Sequence, residues 1–116
     1  MESEFRVLDA RERGLIEKLL EVDFFQGRDE LRAQIASVTA KQIENDGTLE
    51  LRCASGPPAP TKHALAMEGV YTDADEGRVA IMLHVDKNGF MHMLEILRYD
   101  GAPIIKPPSA DRVKVY

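Results

Sequence analysis

The chain has 116 residues, of which 44% are hydrophobic and 30% charged, a balance typical of a globular domain rather than a disordered chain. Its formal net charge of −5 argues against a nucleic-acid binder, whose affinity comes largely from Lys and Arg side chains. No apolar run approaches the roughly 20 residues of a membrane helix, and a single cysteine, Cys53, cannot close an internal disulfide. We therefore expect one domain over residues 1–116 in the cytoplasm, with neither nucleic acid nor a membrane as its partner.

Two helices are predicted near the start of the chain. Asp9 is a candidate N-cap with Glu12 three positions later, and leucine and isoleucine then recur at helical spacing, which predicts a first helix over residues 8–22. Gly27 can adopt a left-handed conformation that ends this helix, and a second helix is predicted over about residues 28–37. Two aromatic residues between the helices are expected to fill the end of the core: Phe24 and Phe25.

A first hairpin is predicted where Asn45-Asp46-Gly47 precedes the segment TLELRC. With these three residues as the loop, Ile43 opposes Leu49 on a buried face. The residues that continue this face are Leu51 and Cys53. The residues expected to point to solvent are Thr48, Glu50 and Arg52.

The later strands follow from turn signals and alternation. A stiff surface connection is predicted over residues 54–61, which contain three prolines and a glycine. A strand is predicted over residues 62–72, a short edge segment over residues 103–106, and a last edge strand within the alternating tail at residues 112–116.

The central feature is a hairpin over residues 78–101, with two apolar runs flanking Asn88-Gly89. A two-residue turn places Ile81 opposite Ile96 and gathers the apolar residues of both strands on one face. The competing three-residue loop, which Asp86 favours, sets Glu95 opposite Ile81 within the apolar face. Burial of an unpaired carboxylate is costly, so the first register is preferred.

These elements predict an α+β fold in which two N-terminal helices pack on one face of a five- or six-stranded, mainly antiparallel sheet. The helices cover only one sheet face. The other face, which we call the second face, must be solvated, covered by the tail or buried in an oligomer.

Four short segments between residues 68 and 105 carry a resemblance: Glu68-Gly69-Val70-Tyr71, Asp86-Lys87-Asn88-Gly89, Leu94-Glu95-Ile96-Leu97-Arg98 and Asp100-Gly101-Ala102-Pro103-Ile104. Together they resemble a family of small bacterial domains of unknown function. The resemblance implies a bacterial, single-domain, soluble setting, and it brings no reaction, cofactor or catalytic residue.

A candidate catalytic site comes from the predicted registers. If Thr72 pairs with Arg78, then Glu68 faces Met82 from one side while Glu95 faces it from the other, with His84 placed diagonally. Two carboxylates and an imidazole can serve as acid and base or as ligands for a divalent metal. The alternative is that Glu68, His84 and Glu95 are polar groups on a solvated strand face. The chain contains no recognisable cofactor motif, so no cofactor is expected.

The second face is predicted to carry an apolar stretch larger than a soluble monomer usually exposes. Its members in the preferred register are Ala80, Met82, Met91, Met93, Leu97 and Tyr99. A symmetric homodimer would bury this surface. Core filling is the competing use of the methionines.

An acidic end of the sheet is predicted if the strands form a meander, because every second turn then falls at the same end. The turns concerned are Asn45–Gly47, Asp73–Gly77 and Asp100–Gly101. They gather six acids against only Arg78 and Arg98: Glu44, Asp46, Asp73, Asp75, Glu76 and Asp100. Charge of one sign steers a partner of the other sign, which predicts a basic protein surface as the partner. The alternative is that these acids are ordinary turn residues that keep the protein soluble.

Two functions of different class follow. The favoured one is a protein-interaction module that uses the acidic end or the second face. The alternative is a small enzyme or metal-binding protein that uses Glu68, His84 and Glu95.

Overall fold

The structure is a computed structural model that describes residues 5–22, 26–61 and 63–115. Its elements, in chain order, are β1 (Arg6–Val7), α1 (Ala10–Leu19), α2 (Arg28–Ile35), β2 (Val38–Gln42), β3 (Leu49–Cys53), β4 (Leu65–Thr72), β5 (Arg78–Val85), β6 (Met91–Arg98), a 3₁₀ turn (Ala110–Arg112) and β7 (Lys114–Val115). Phe24 and Phe25, which were predicted to fill the end of the core, lie outside the described residues.

The seven strands within the described residues belong to one antiparallel sheet, in the order β1-β2-β3-β6-β5-β4-β7. The α+β class is confirmed. The predicted count of five or six strands is wrong, and the helices are not the first elements, since β1 precedes them. The missed strand has two residues, which is too short for alternation to reveal. The predicted tail strand is present as β7.

The first helix begins as predicted. Asp9 Oδ1 accepts a hydrogen bond from the Glu12 N–H at 2.8 Å, and Glu12 Oε1 accepts one from the Asp9 N–H at 2.9 Å, so the capping box is complete. Arg6 in β1 also contacts the Glu12 carboxylate at 2.8 Å, which ties the edge strand to the helix. α1 ends at Leu19, before the predicted Val22.

The second helix begins at Arg28, as predicted, and ends at Ile35 rather than at residue 37. Gly27 does adopt a left-handed conformation, with φ of 104°, but it is the N-cap of α2 and does not terminate α1. An added Cβ at this position would lie 2.8 Å from the Ala59 side chain, so the glycine also permits close packing of the 54–61 connection.

Gln34 joins three separate segments in the interior. Its side chain is fully buried; Nε2 donates to the Gly89 carbonyl at 2.8 Å and to the Pro57 carbonyl at 2.9 Å, and Oε1 accepts from the Met91 N–H at 3.1 Å. One side chain of α2 therefore satisfies backbone groups of the proline-rich connection and of the central hairpin.

The central hairpin combines both predicted alternatives. Ile81 pairs with Ile96, which confirms the preferred register. The turn, however, is the three-residue loop, in which the Asp86 N–H donates to the Phe90 carbonyl at 2.8 Å and Gly89 has φ of 90°. The preference for a two-residue turn was wrong because Asp86 Oδ1 accepts from the Asn88 and Phe90 N–H groups, which stabilises the longer loop.

A β-bulge reconciles this loop with the register. His84 pairs with Met93, whereas Val85 pairs with Met91, so His92 is an extra residue in β6. The extra residue shifts the pairing by one position and places Glu95 opposite Met82 instead of within the apolar face. It also turns Met91 into the core, where alternation had predicted it on the second face.

The first hairpin differs from its prediction. Gln42 pairs with Leu49, and the Ile43 N–H donates to the Thr48 carbonyl at 2.9 Å, so the loop contains four residues rather than three. Ile43 is exposed, not buried. Thr48, predicted to face solvent, is buried because its hydroxyl accepts from the Ile96 N–H at 3.0 Å and so joins β3 to β6.

The core lies between the two helices and one sheet face. α1 contributes Leu15, Ile16 and Leu19, and the central strands contribute Ile81, Leu83, Leu94 and Ile96. Of the four methionines between residues 67 and 93, Met67 and Met91 fill this core, while Met82 and Met93 are half-buried on the second face. Two of these methionines thus fill the core, and two lie on the surface.

We predict that Gln34→Ala lowers the free energy of unfolding by about 2–4 kcal/mol, because it removes hydrogen bonds to three backbone groups in two segments, the proline-rich connection and the central hairpin, and leaves the buried Met91 N–H without its partner. Chemical denaturation followed by intrinsic fluorescence or by circular dichroism measures this change. The matched control is Gln42→Ala, at an exposed glutamine, which should change the free energy by less than about 0.5 kcal/mol. Equal effects of the two substitutions would contradict the assigned role of Gln34.

Candidate functional site

Three acidic turns lie at one end of the sheet. β2, β6 and β4 run in the same direction, since each is separated from the next by one antiparallel strand in the sheet order. The turns after them therefore share an end, as predicted. The predicted meander is wrong, because β3 lies beside β6 and not beside β4. Because β6 and β5 lie between β3 and β4 in the sheet, the connection over residues 54–61 has to pass from one to the other. Its Ala59 N–H donates to the Gly89 carbonyl at 2.9 Å.

Arg98 organises the acidic end. Its side chain is only 5% exposed, and its guanidinium contacts Asp75 Oδ2 at 2.7 Å, Asp100 Oδ1 at 2.8 Å and Asp73 Oδ2 at 2.9 Å. Asp100 and Asp75 raise the pKa of Arg98 above its usual value through these hydrogen bonds. Arg98 therefore stays charged and neutralises part of the acidic cluster from within.

Asp73 anchors the chain that follows β6. Its carboxylate is buried and accepts hydrogen bonds at 2.9 Å from the N–H groups of Ile105 and Lys106, besides its contact with Arg98. The bond from Ile105 is the largest cause that lowers the pKa of Asp73, from 3.8 to about 2, against the opposing effect of burial. The Tyr71 hydroxyl donates to the Lys106 carbonyl at 2.9 Å and holds the same segment.

The Asp73 geometry changes the meaning of the predicted cluster. Asp73, Asp75 and Asp100 all bind Arg98; the Asp73 carboxylate is buried, whereas the side chains of Asp75 and Asp100 are 46% and 56% exposed. Among the described residues, Glu44, Asp46 and Glu76 form no ion pair. These three carboxylates are the acids of this end that Arg98 does not bind.

A cleft of about 460 Å³ opens at this end, between the first hairpin loop and the chain after β6. Its polar rim includes Glu44 and Asp46, and Arg98 borders it. Its apolar lining comes from Leu97, Ala102, Pro103 and Ile104. The volume falls in the range of ordinary ligand pockets.

The predicted catalytic residues come together only in part. Both registers are as predicted: Glu68 pairs with Met82, and Met82 pairs with Glu95. His84 Nε2 lies 2.8 Å from Glu95 Oε1, with both side chains about one third exposed or less, at 28% and 34%. Glu68 stands on the other side of Met82. In the described part of the chain no group of three His, Cys, Asp or Glu side chains is arranged to hold a metal ion.

The strand pattern of β6 contains a signal for Arg98, which the predicted catalytic site does not include. Arg98 has the same strand parity as Leu94 and Ile96, so it must point into the core side of the sheet. A charged residue at such a position requires buried partners of opposite sign. The aspartates of the neighbouring turn were the available candidates.

These features define an α+β domain with a seven-stranded antiparallel sheet, two helices on one face and an ion-paired acidic end. Over residues 5–108 the chain matches the family described as a domain of unknown function, DUF6984, and it belongs to that family. The resemblance to a family of unknown function is thereby confirmed, while a bacterial origin stays a prediction. No curated protein and no solved structure gives a significant match. No helix in the described ranges is long and apolar enough to cross a membrane.

We predict that Asp73→Asn destabilises the protein in a pH-dependent way. Because the pKa of Asp73 is lowered from 3.8 to about 2 in the folded state, the carboxylate contributes its stability above pH 3.8 and loses it as the pH falls toward 2. The melting temperature of the variant should lie below that of the wild type at neutral pH, and the difference should shrink between about pH 4 and pH 2.

Asp75→Asn is the control for this experiment, because Asp75 also binds Arg98 but its side chain is 46% exposed. It should lower the melting temperature less than Asp73→Asn at neutral pH. A wild-type and Asp73→Asn difference that stays constant from neutral to acid pH would show that the Asp73 carboxylate is not the source of the stability.

Proposed function

We propose that this domain is a protein-interaction module whose acidic end binds a basic segment of a partner protein. The observation that supports it is the convergence of three turns at one end of the sheet, where Glu44 and Asp46 border a cleft with an apolar lining. Within the described residues, neither these two carboxylates nor Glu76 in the turn after β4 forms an ion pair. A cytoplasmic setting fits the free thiol of Cys53.

The chemistry of the cleft suits a lysine or arginine side chain. Such a side chain carries a long apolar stem and a charged head, and each part needs a different surface. Leu97, Pro103 and Ile104 offer contact for the stem, while Glu44 and Asp46 offer acceptors for the head. Arg98 does not repel the cation, because its charge is matched by bound aspartates.

The electrostatics favour fast and salt-sensitive recognition. Exposed ion pairs contribute little affinity each, so the unpaired acids would mainly accelerate encounter with a positively charged partner. Salt should weaken this effect, because the Debye length falls from roughly 14 Å at 0.05 M to a few ångströms near 1 M. The final complex would depend on apolar contacts within the cleft.

A second function, catalysis or metal binding by Glu68, His84 and Glu95, is favoured by the His84–Glu95 contact at 2.8 Å. Such a pair can orient an imidazole for proton transfer. The separation of Glu68 from this pair by Met82 makes it the weaker proposal. Titration with Zn²⁺, followed on the His84 imidazole by NMR, would favour it if binding is saturable and is lost in Glu68→Gln.

The interaction proposal predicts where a basic probe binds. A synthetic oligolysine peptide added to isotope-labelled protein should shift NMR amide signals at residues 43–48, 73–77 and 97–104 before other signals. The double variant Glu44→Gln/Glu76→Gln should weaken binding by about 3- to 10-fold, since each exposed ion pair contributes a fraction of a kcal/mol. Asp46 is left unchanged because its Oδ1 accepts from the Thr48 N–H at 3.0 Å.

The matched control is Glu17→Gln/Glu21→Gln, which removes the same number of exposed carboxylates from α1 and the residues after it. This variant should bind the peptide nearly as the wild type does. Shifts spread evenly over all acidic surfaces, or equal weakening by both double variants, would overturn the proposal and leave only a generally acidic protein.

A further inference from the structure

The second face of the sheet has an apolar centre that extends over three strands. Val70, Ala80 and Leu97 form one cross-strand row, in which Val70 and Ala80 are 8% and 1% exposed while Leu97 is 46% exposed. The half-buried Met82 and Met93 extend this centre along β5 and β6, the strands that also carry Ala80 and Leu97. Val70 and Ala80 are already shielded within one chain, so the exposed apolar surface of this centre comes from Leu97 and, to a smaller extent, from Met82 and Met93.

The other elements pack on the opposite side of the sheet. Both helices belong to the core cluster, and Val113, just before β7, also packs there. The Arg11 side chain donates to the Pro108 carbonyl at 3.0 Å, which holds the chain after β6 against α1. The described C-terminal segment therefore does not cover the second face, as it would need to do to replace an oligomer.

Charges of both signs surround the apolar centre. The strand registers place three carboxylates on this face: Glu50, Glu68 and Glu95. They place four basic side chains on the same face: Lys41, Arg52, Arg78 and Lys114. The second face therefore has no excess of negative charge, although the whole chain has a net charge of −5. Two copies can bring this face together without net repulsion, and acids of one can oppose bases of the other.

The polar pair next to the apolar centre is already hydrogen-bonded within one chain. His84 and Glu95 contact each other at 2.8 Å, beside Met82 and Met93. Burial of a polar group is costly chiefly when it loses its hydrogen-bond partner, and this pair keeps its partner within one chain. The pair is therefore compatible with an interface in a way that two isolated polar side chains would not be.

We infer that the second face binds the same face of a second copy of this chain in a symmetric dimer. A twofold axis pairs one surface with itself, so it requires a surface with an apolar centre and charges of both signs, as found here. The interface shares Leu97 with the cleft at the acidic end, but Tyr99 does not line that cleft. Tyr99→Glu therefore tests the dimer separately from the binding of a basic partner.

Sedimentation equilibrium tests the dimer, with wild-type protein at tens of micromolar expected to show twice the chain mass of 13.0 kDa. Leu97→Glu places a charge at the centre of the interface and should weaken the dimer by on the order of 30-fold or more. Tyr99→Glu is the second interface variant, since Tyr99 lies 56% exposed at the end of the same face. It should also weaken the dimer.

Ile105→Glu is the matched control, because Ile105 is an exposed apolar residue in the segment that follows β6 and not on this face. It should remain dimeric. Circular dichroism of each variant separates loss of the dimer from loss of the fold. A wild-type monomer at these concentrations, or a dimer that Leu97→Glu and Tyr99→Glu leave intact, would overturn the inference, and a monomer that binds a different protein through this face would do so as well.

Discussion

The buried contact between Arg98 and Asp73 is the interaction on which the acidic end depends. It joins the last residue of β6 to the turn between β4 and β5, and the same carboxylate holds the backbone of Ile105 and Lys106. Neither group can be removed alone, because the remaining charge would be left buried without a partner. The chain after β6 is thereby directed across the end of the sheet toward α1, where the Arg11–Pro108 contact receives it. The cleft beside Glu44 exists because this segment is held in that path.

Local sequence patterns were sufficient to predict several structural elements. The capping box at Asp9 and Glu12 needs only neighbouring residues, and it formed as predicted. The pairing of Ile81 with Ile96 follows from burial of one strand face, whatever the turn between the strands. The cost of burying Glu95 therefore predicted the correct register, although the two-residue loop assumed with it was wrong. The bulge at His92 satisfied both the turn chemistry of Asp86 and the requirement of the apolar face.

Contacts between distant segments could not be predicted from the sequence. Helical spacing places Gln34 on the same face as Leu31 and Ile35, but it does not identify the distant backbone groups, at Pro57, Gly89 and Met91, that Gln34 binds. The placement of β3 beside β6 depends on the path of the proline-rich connection past Gly89, which alternation cannot reveal. The candidate site shows the same division: the Glu68–Met82–Glu95 row follows from register, whereas the convergence of Asp73, Asp75 and Asp100 on one guanidinium depends on where a single buried arginine points.

The two outer strands of the sheet have a consequence for how copies of this protein meet. β1 and β7 contain two residues each, and each pairs with its neighbour at only two positions. Short outer strands offer few free backbone groups, so they are poor templates for adding further strands from other molecules. Growth of the sheet in its own plane, which leads to open-ended fibres, is thereby disfavoured. Association through a sheet face about a twofold axis, as inferred above, has no such propagating direction.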